Sequence, residues 1–315
     1  MTKLDITTII LTYNEELHIR RCLENVCPFS KKVYVIDSPS NDRTAEIVRE
    51  VGEFERSRCG ADVELVEHKY PGNQAEQFNW SLDNCKIDTE WILRVDADEY
   101  CEPELIEEMG TKLPSLSQEV SAIVVPIGRE FMGRRLHHGI VNGVSLTRML
   151  RPGKVRYEAS LMDEYMKVME GETIMFDHAI VDASKIGLRA FVDKHNNYSS
   201  REAAMLLDAE FELRDSSTGS GQVDGEIAAE VMAKRAKKKK YAKMPLFWRS
   251  FGYFCYRYIA KLGFLDGKEG FCWDFFQGLW YRMLVDAKVY QAKKECGTDT
   301  AKLKNYIKNN WGIAL

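Results

Sequence analysis

The stretch Trp91-Ile92-Leu93-Arg94-Val95-Asp96-Ala97-Asp98-Glu99 decides the fold, because an apolar run ends directly in a cluster of acidic residues. The apolar part predicts a buried β-strand, and side chains alternate across a strand, so Asp96 and Asp98 are expected to point the same way. Two carboxylates at one strand end repel each other unless a cation lies between them, and Mg²⁺ and Mn²⁺ prefer such oxygen ligands. The stretch therefore predicts a metal–diphosphate site, with an acidic surface turn as the alternative for any isolated Asp-x-Asp.

The residues around this stretch alternate short β-rich runs with helical periodicity. Strands are predicted at residues 6–11, 33–36, 63–66 and 91–95, and helices after Asn14, over 44–51 and over 75–85. Asn14 is expected to cap the first helix, with Glu15 and Glu16 in its first turn. Repeated β-α units predict a mainly parallel sheet covered on both faces, and such sheets bind ligands at the carboxyl ends of their strands. Three loops meet that condition, at residues 12–15, 37–42 and 96–99.

Composition limits the class of protein. The 315 residues are 45% hydrophobic, which predicts one large domain with an appendage, or two domains. A net charge of −4 argues against a surface built for nucleic acid. The eight cysteines form no C-x-x-C pair and no signal peptide is recognisable, so we expect free thiols in a reducing cytoplasm. No apolar run approaches about 18 residues, so a spanning helix is not predicted.

The second half of the chain changes character several times. Residues 121–183 are strand-like with Gly and Pro, residues 186–212 are predicted to be helical, and residues 215–225 have the composition of a flexible linker. A basic run without an acidic residue follows, made of Lys234, Arg235, Lys237, Lys238, Lys239, Lys240 and Lys243. Two aromatic stripes at helical spacing come next, Phe247, Phe251, Phe254 and Tyr258, then Trp273, Phe276, Trp280 and Leu284.

These stripes have two interpretations. Aromatic stripes usually belong to a core, and lysines usually belong to a solvated surface. Basic residues beside an aromatic helix also suit the anionic cytoplasmic leaflet of a membrane, where each cation contributes on the order of 1 kcal/mol. The sequence leaves both interpretations open.

Four motifs in order resemble an inverting family 2 glycosyltransferase of the GT-A fold. They are Thr-Tyr-Asn-Glu at 12–15, Asp37 with Ser38, Ser40, Asn41 and Asp42, Gln-Phe-Asn-Trp at 77–80, and the acidic cluster at 96–99. Residues 133–139, 148–150, 194–199 and 256–271 are similar to the branch that adds sugars to lipopolysaccharide core or other lipid-linked glycans. The resemblance covers most of the chain except roughly residues 205–245.

The resemblance implies a GT-A (Rossmann-like) α/β fold, with a mainly parallel sheet, flanking helices and a helical C-terminal extension. Residues 1–130 would form the half that binds the nucleotide-sugar, and residues 131–204 the half that binds the acceptor. Residues 205–244 would be a polar and basic connecting segment. Residues 245–315 would be an aromatic-rich helical tail.

The resemblance also implies roles for individual residues. Thr12, Asn14, Glu15 and Gln77 would line the nucleotide pocket. Asp37 would bind the uracil or ribose, Asp96 would face ribose and metal, and Asp98 would be the direct ligand of Mn²⁺ or Mg²⁺. Such a cation stabilises the charge of a leaving diphosphate without a proton transfer. Arg134, Arg135, Arg148 and Arg151 are candidates for phosphate contacts, of which we expect one or two to be made.

Inversion requires a general base that takes the proton of the acceptor hydroxyl. The triplet Met162-Asp163-Glu164 matches the Val-His-Glu-like triplet of this branch, so Glu164 is favoured as the base and Asp163 is the alternative. His137 and His138 are candidates for contacts with acceptor or pyrophosphate. For each of them, and for His178, a structural role is the more frequent one for a lone histidine.

The sequence therefore predicts a metal-dependent inverting hexosyltransferase that uses a UDP-sugar and a lipopolysaccharide-core or lipid-linked acceptor. We expect it to lie peripherally on the cytoplasmic face of the membrane, as a monomer or homo-oligomer, without a nucleic-acid partner. The alternatives are a sugar nucleotidyltransferase and a non-catalytic nucleotide-sugar-binding protein. The first needs a Gly-rich phosphate loop that residues 11–15 lack, and the second gives no reason for the acidic cluster. The absence of G-x-G-x-x-G disfavours a dehydrogenase.

Overall fold

A computed structural model describes residues 3–141, 144–157, 166–213, 241 and 244–314. The chain divides into two compact units, residues 1–137 with 141–185, and residues 138–140 with 186–315. All eight cysteines are free. The four segments predicted from the sequence stay a prediction.

The first unit contains a ten-stranded mixed sheet and a separate pair of strands. The strands are β1 (Leu4–Thr12), β2 (Ser30–Asp37), β3 (Asp62–Glu67), β4 (Trp91–Asp96), β5 (Glu99–Cys101), β6 (Val120–Phe131), β7 (Arg134–Leu136), β8 (Ser145–Leu150), β9 (Val155–Tyr157), β10 (Met166–Val168), β11 (Glu172–Met175) and β12 (Ile180–Asp182). The helices are α1 (Ile19–Val26), α2 (Thr44–Cys59), α3 (Gln74–Asn84) and α4 (Pro103–Lys112).

The main sheet runs in the order β3-β2-β1-β4-β8-β6-β12-β5, with β7 and β11 also paired to β6. The pairs β1–β2, β1–β4 and β2–β3 are all parallel. Strand β8 is antiparallel to both β4 and β6. The expected mainly parallel sheet with flanking helices is therefore confirmed. Strand β8 makes the centre of the sheet mixed, and β5 and β7 are also antiparallel to their partners β12 and β6.

Consecutive apolar residues of the central strands face opposite sides of the sheet. Ile10 of β1 packs in a core cluster with α1, α2 and α4. Its neighbour Ile9 packs in a second cluster with Phe78 of α3. Both side chains are fully buried. Alternation across a strand thus explains why these strands read as continuous apolar runs, because a sheet covered by helices on both faces buries every residue.

The start of the first helix differs from the prediction. Helix α1 begins at Ile19, so Asn14 does not cap it. Asn14 instead adopts a left-handed backbone with φ of 56°. Its side-chain Oδ1 accepts a hydrogen bond from the backbone N–H of Asn41 at 2.9 Å. Asparagine tolerates the left-handed backbone conformation. Its side chain here accepts a hydrogen bond from the neighbouring loop and does not cap a helix.

The second unit is helical. Its helices are α5 (Gly187–Phe211), α6 (Trp248–Cys255), α7 (Gly267–Trp273), α8 (Tyr281–Cys296) and α9 (Thr300–Trp311). The π-helical segments Tyr256–Ala260 and Asp274–Trp280 follow α6 and α7. Buried residues of α5, α8 and α9 form one core cluster. The predicted helical C-terminal region is confirmed. Among the helices of the described ranges, we find none with the length and apolar content needed to span a bilayer.

The turn between α6 and α7 is closely packed. A Cβ atom added at Gly270 would lie 2.5 Å from the Cβ of Asp266 and 2.6 Å from the carbonyl oxygen of Gly263. Asp266 is buried and accepts a hydrogen bond from the backbone N–H of His138 at 2.8 Å. Only glycine therefore fits at position 270 without displacing backbone.

We expect Gly270→Ala to lower the free energy of unfolding by about 1–3 kcal/mol, because overpacking displaces neighbouring atoms. Gly252→Ala is the matched control, since a Cβ at Gly252 of α6 meets nothing within 4 Å. Alanine is preferred in helices, so the control should be neutral or stabilising by up to about 1 kcal/mol. Urea unfolding followed by circular dichroism measures both. Equal stability of the two variants would contradict the close packing.

Candidate functional site

The carboxyl ends of the parallel strands bring three of the predicted residues together. In the sheet register Thr12 of β1 pairs with Asp37 of β2, and Leu11 pairs with Asp96 of β4. Asp37 in turn pairs with Glu67 of β3. Thr12, Asp37 and Asp96 therefore lie along one edge of the sheet, as parallel β-α units require.

The carboxylate of Asp37 is buried and held by three hydrogen bonds. The Thr12 hydroxyl donates to its Oδ1 at 2.8 Å, and the Ser40 hydroxyl donates to the same oxygen at 2.6 Å. The Ser40 backbone N–H donates to Oδ2 at 2.9 Å. A carboxylate has about four acceptor positions, so about one remains for the N–H or O–H of a ligand.

The loops after β1 and β2 are hydrogen-bonded to each other. The backbone N–H of Asn14 donates to Ser40 Oγ at 2.8 Å, and the backbone N–H of Glu15 donates to Thr44 Oγ1 at 2.7 Å. Thr44 is also the first residue of α2. Asn14 and Glu15 are thus fixed by contacts with the second loop. Their position relative to Asp37 depends on these contacts and cannot be derived from the local sequence.

His18 was not identified from the sequence, but it positions Glu15. The backbone N–H of Lys185 donates to His18 Nε2 at 2.8 Å, so Nε2 is the acceptor nitrogen. The other nitrogen, Nδ1, then carries the proton and donates to Glu15 Oε2 at 2.6 Å. The ring is only 2% exposed. The spacing of three residues between Glu15 and His18 was the only signal in the sequence.

Gln77 of α3 is buried beside the loop that follows β2. Its Oε1 lies 2.7 Å from Nδ1 of His68, and its Nε2 donates to the His68 carbonyl oxygen at 3.2 Å and to Ser38 Oγ at 3.3 Å. The His68 ring stacks on Trp80 at 3.8 Å between centroids. Gln77 therefore ties α3 to the residue directly after Asp37, and its direct contact with a nucleotide stays a prediction.

Asp96 lies between two buried arginines. Its Oδ1 accepts a hydrogen bond from Arg94 at 3.3 Å, and its Oδ2 accepts one from Arg148 at 3.2 Å. Arg148 also bonds Glu99, whose Oε2 accepts a hydrogen bond from the Asp96 backbone N–H at 2.9 Å. Arg94 and Glu99 were not assigned roles from the sequence, although Arg94 precedes Asp96 by two residues and so shares its side of β4.

Burial and charge shift the two carboxyl groups in opposite directions. Burial would raise the pKa of Asp96, but Arg148 and Arg94 together hold it well below its usual range. Burial raises the pKa of Glu99 to about 7, against the attraction of Arg148 and with the added repulsion of Asp96. Asp96 is consequently a carboxylate at neutral pH, while Glu99 is close to its titration point.

Asp98 lies in the turn after β4. Because β4 ends at Asp96, strand alternation does not determine where the Asp98 side chain points. Its main-chain carbonyl accepts hydrogen bonds from Arg21 Nη2 at 2.7 Å and from the Ala183 N–H at 3.0 Å. Arg21 also donates to the Ala183 carbonyl at 2.8 Å. The turn that carries Asp98 is therefore clamped from two sides, and its side chain is half-buried.

The donor set fits a metal ion that is shared with a phosphate group. Within the described ranges no group of three or more His, Cys, Asp or Glu side chains is arranged to hold a metal ion. Mg²⁺ bound together with substrate phosphates needs only one or two protein carboxylates. Asp96 and Asp98 are the residues that would supply such oxygens, and the lowered pKa of Asp96 keeps that carboxylate charged.

Three of the arginines considered for phosphate contacts have other partners. Arg135 donates to Glu102 Oε1 at 2.8 Å and to the Leu136 carbonyl oxygen at 2.6 Å. Arg148 is 4% exposed and holds Asp96 and Glu99. Arg151 donates to the carbonyl oxygen of Val120 at 2.6 Å and to Glu90 Oε1 at 2.6 Å, and its guanidinium lies 4.3 Å from the Trp91 ring centroid. These partners place Arg151 at the start of β4, opposite the end that carries Asp96.

Two of the three histidine candidates, His138 and His178, have carboxylate partners. Nδ1 of His178 lies 3.0 Å from Glu108 Oε2, and Nδ1 of His138 lies 2.9 Å from Asp266 Oδ1. Both contacts agree with the structural role that is usual for a lone histidine. The two candidates for the general base, Asp163 and Glu164, lie outside the described residues, so their roles stay a prediction.

Comparison with known sequences identifies relatives of this chain. Residues 7–164 match the family model described as Glycosyl transferase family 2. SPbeta prophage-derived glycosyltransferase SunS of Bacillus subtilis is 25% identical over 202 residues, which are 62% of this chain and 40% of that protein. Lipopolysaccharide core biosynthesis glycosyltransferase LpsC of Rhizobium meliloti is 27% identical over 169 residues, 54% of this chain and 57% of that protein. The matches thus span about half the length of these relatives.

Solved structures with a related fold include mannosyltransferase PcManGT from Pyrobaculum calidifontis in complex with GDP-Man and Mn²⁺. It is 17% identical with a TM-score of 0.48, and the match covers 92% of this chain and 88% of that one. Glucosyl-3-phosphoglycerate synthase from Mycobacterium tuberculosis, in complex with Mn²⁺ and UDP-Glc, is 19% identical with a TM-score of 0.28, covering 40% and 43%. Because both TM-scores are below 0.5, the family assignment depends on the match of residues 7–164 to the family model.

The raised pKa of Glu99 predicts the sign of a pH effect. Its contribution to stability is full below the unfolded pKa of 4.5 and is lost as the pH rises through about 7. Glutamine mimics the protonated side chain, so the stability of Glu99→Gln relative to the native chain should rise by about 2–3 kcal/mol from about pH 5 to about pH 8. Urea unfolding at both pH values tests this.

Glu67→Gln is the control, because it removes an exposed carboxylate at the carboxyl end of β3, a strand that pairs with neither β4 nor β5. The free energy of unfolding of the control should change with pH in the same way as that of the native chain. A Glu99→Gln variant whose stability runs parallel to that of the native chain would contradict the raised pKa.

Proposed function

The chain belongs to glycosyl transferase family 2, and on this premise we propose that it transfers a hexose from a UDP-sugar to a lipid-linked glycan acceptor, with inversion. We include lipopolysaccharide core among these acceptors. The single observation that carries the proposal is the alignment of Thr12, Asp37 and Asp96 at the carboxyl edge of β1, β2 and β4. A nucleotide and its diphosphate would bind along this edge.

Asp37 is proposed to bind the nucleoside. Its carboxylate is held by Thr12 and Ser40, so its remaining acceptor position has a fixed direction. A uracil N–H or a ribose hydroxyl is the kind of donor that such a position selects. Asn14 and Glu15 would form the adjacent wall of the pocket, because their loop is bonded to the loop that carries Ser40.

Asp96 and Asp98 are proposed to hold Mn²⁺ or Mg²⁺ together with the donor diphosphate. When bound, the cation would stabilise the negative charge that develops on the leaving diphosphate. Arg94 and Arg148 keep Asp96 ionised and oriented for this role. We therefore assign Arg148 to positioning Asp96, in place of the phosphate contact considered from the sequence.

The acceptor class is supported by the name of one relative. LpsC is described as a lipopolysaccharide core biosynthesis glycosyltransferase, and it aligns with 54% of this chain. Glu164, with Asp163 as the alternative, is proposed to take the proton from the acceptor hydroxyl. The family assignment favours this transferase over the nucleotidyltransferase and the non-catalytic binding protein considered from the sequence.

We expect UDP to bind more tightly with Mn²⁺ than in EDTA, and Asp98→Ala to remove that difference by weakening binding about tenfold or more. The reason is that Asp98 would join the cation to the protein. Asp88→Ala is the matched control, because Asp88 is an exposed carboxylate before the start of β4. Isothermal titration calorimetry measures the affinities. Equal UDP affinity with and without Mn²⁺ would refute the metal assignment.

We expect Glu164→Gln to keep UDP binding and to lose about 10²–10⁴-fold in transfer, since only the proton acceptor is removed. UDP release in the presence of purified lipid-linked glycan measures the transfer, and calorimetry measures the binding. Asp163→Asn is the paired variant and should retain activity. Loss of transfer in Asp163→Asn with an active Glu164→Gln would assign the base to Asp163.

A further inference from the structure

The second unit exposes many large apolar side chains in one continuous segment. We call them the apolar surface, and they are Trp248 (74% exposed), Phe251 (49%), Tyr256 (47%), Ile259 (61%), Leu262 (45%), Phe264 (45%), Leu265 (50%) and Phe271 (43%). The first four lie on α6 and its π-helical continuation, and the others lie on the turn after it and on α7. Such a concentration of apolar side chains on a solvent-exposed surface indicates a binding partner.

The polarity of α6 is the reverse of that expected for a helix on a water-exposed surface. Its residues Arg249 and Ser250 are buried, and both bond the buried Asp286 of α8, at 2.8 Å from Arg249 Nε and 2.9 Å from Ser250 Oγ. In the π-helical continuation, buried Arg257 donates to Asp274 at 2.7 Å. The helix therefore points its charged groups inward and its apolar side chains outward.

The exposed side of α6 forms a single stripe. Trp248, Phe251, Tyr256 and Ile259 are spaced by three, five and three residues, which places them within one side of the helix. Burying charged groups has a cost that ion pairs recover only in part. This arrangement is favourable if the exposed side faces an apolar medium.

The turn after α6 is held by hydrogen bonds, so its apolar side chains are exposed by a fixed backbone. The Lys261 carbonyl accepts a hydrogen bond from the Gly139 N–H at 2.8 Å, and the Leu265 N–H donates to the Leu262 carbonyl at 2.9 Å. At its far end, buried Asp266 bonds His138. Leu262 and Leu265 therefore project from a closely packed framework.

The charge beside the apolar surface is positive. Lys261 and Lys268 are exposed at the two ends of the turn. Among the carboxylates of the same segment, Asp266 and Asp274 are buried and paired with His138 and Arg257, and Glu269 is half-buried, so Lys261 and Lys268 are its exposed charges. A flat anionic apolar partner fits this pattern better than a second copy of the chain, which would carry the same positive charges.

We propose that the apolar surface inserts into the boundary between headgroups and acyl chains of an anionic phospholipid bilayer. Amphipathic helices at membranes embed their apolar side by about 5–10 Å, and adjacent lysines bind the anionic headgroups. We place this bilayer surface on the cytoplasmic side of the membrane. The inference goes beyond the proposed function, because it holds for any donor or acceptor. The basic residues of the run at 234–243 lie outside the described residues, and the inference does not need them.

Co-sedimentation of the full chain with vesicles tests the inference. We expect binding to vesicles of equal parts phosphatidylethanolamine and phosphatidylglycerol, and weaker binding to pure phosphatidylcholine. Phe264→Ser with Leu265→Ser should lower the vesicle affinity at least about tenfold, because two apolar side chains no longer leave water. Lys261→Gln with Lys268→Gln should reduce the dependence on salt.

Phe54→Ser is the matched control, because Phe54 is an aromatic residue of α2 that is 59% exposed. It should bind vesicles like the native chain. UDP affinity, measured on the same samples, should be unchanged in every variant, which separates this inference from the proposed function. Native vesicle affinity in the Phe264 and Leu265 variant, or no binding by the native chain, would overturn the inference.

Quenching by brominated acyl chains tests the position of the surface. We expect these lipids to quench the fluorescence of Trp248, and Trp248→Phe to remove most of that quenching while the other five tryptophans remain. Light scattering gives the mass of the free protein. Undiminished quenching in Trp248→Phe, or a native dimer that dissociates in the Phe264 and Leu265 variant and does not bind vesicles, would assign the surface to another role.

Discussion

The guanidinium of Arg148 joins Asp96 and Glu99, and the candidate site depends on this interaction. The half-buried carboxylate of Asp96, at the end of β4, lies beside the buried carboxyl group of Glu99, at the start of β5, and an uncompensated buried charge costs about 3–5 kcal/mol. The compensating cation comes from β8, which pairs with β4 in antiparallel register. The position of β8 beside β4 is therefore a requirement of the acidic cluster as well as a feature of the sheet. Fold and site are stabilised by the same contact.

The part of the fold that depends on local pattern was predictable from the sequence. Strands β1 to β4 were visible as apolar runs followed by polar loops, because both faces of a parallel sheet are buried. The antiparallel insertion of β8 was not predictable, since hydrophobic periodicity does not specify which strand pairs with which. The same limit explains the error at Asn14. Asparagine is a frequent helix N-cap residue, but hydrogen bonds with Ser40 and Asn41 of the next loop determine the conformation of Asn14.

The candidate site was predictable where strand ends alone determine position. Thr12, Asp37 and Asp96 met this condition, and the sheet aligns them. His18 did not, because its orientation depends on Lys185, far along the chain. Arg148 was identified, but guanidinium geometry suits carboxylates and phosphates equally, so its partner could not be derived from residue type. The roles of Glu164 and Asp163 stay a prediction.

The hydrogen bond from the Lys185 N–H to His18 has a consequence for where this enzyme can be divided. The family match ends at residue 164, whereas the hydrogen bond that orients His18, and through it Glu15, comes from the backbone of Lys185. A fragment or chimera cut at the family boundary would carry the residues of the proposed donor pocket and would lack the backbone N–H that orients His18 beside Glu15. The segment needed to orient Glu15 is thus longer than the segment that matches the family. It extends to Lys185, the last residue of the first unit.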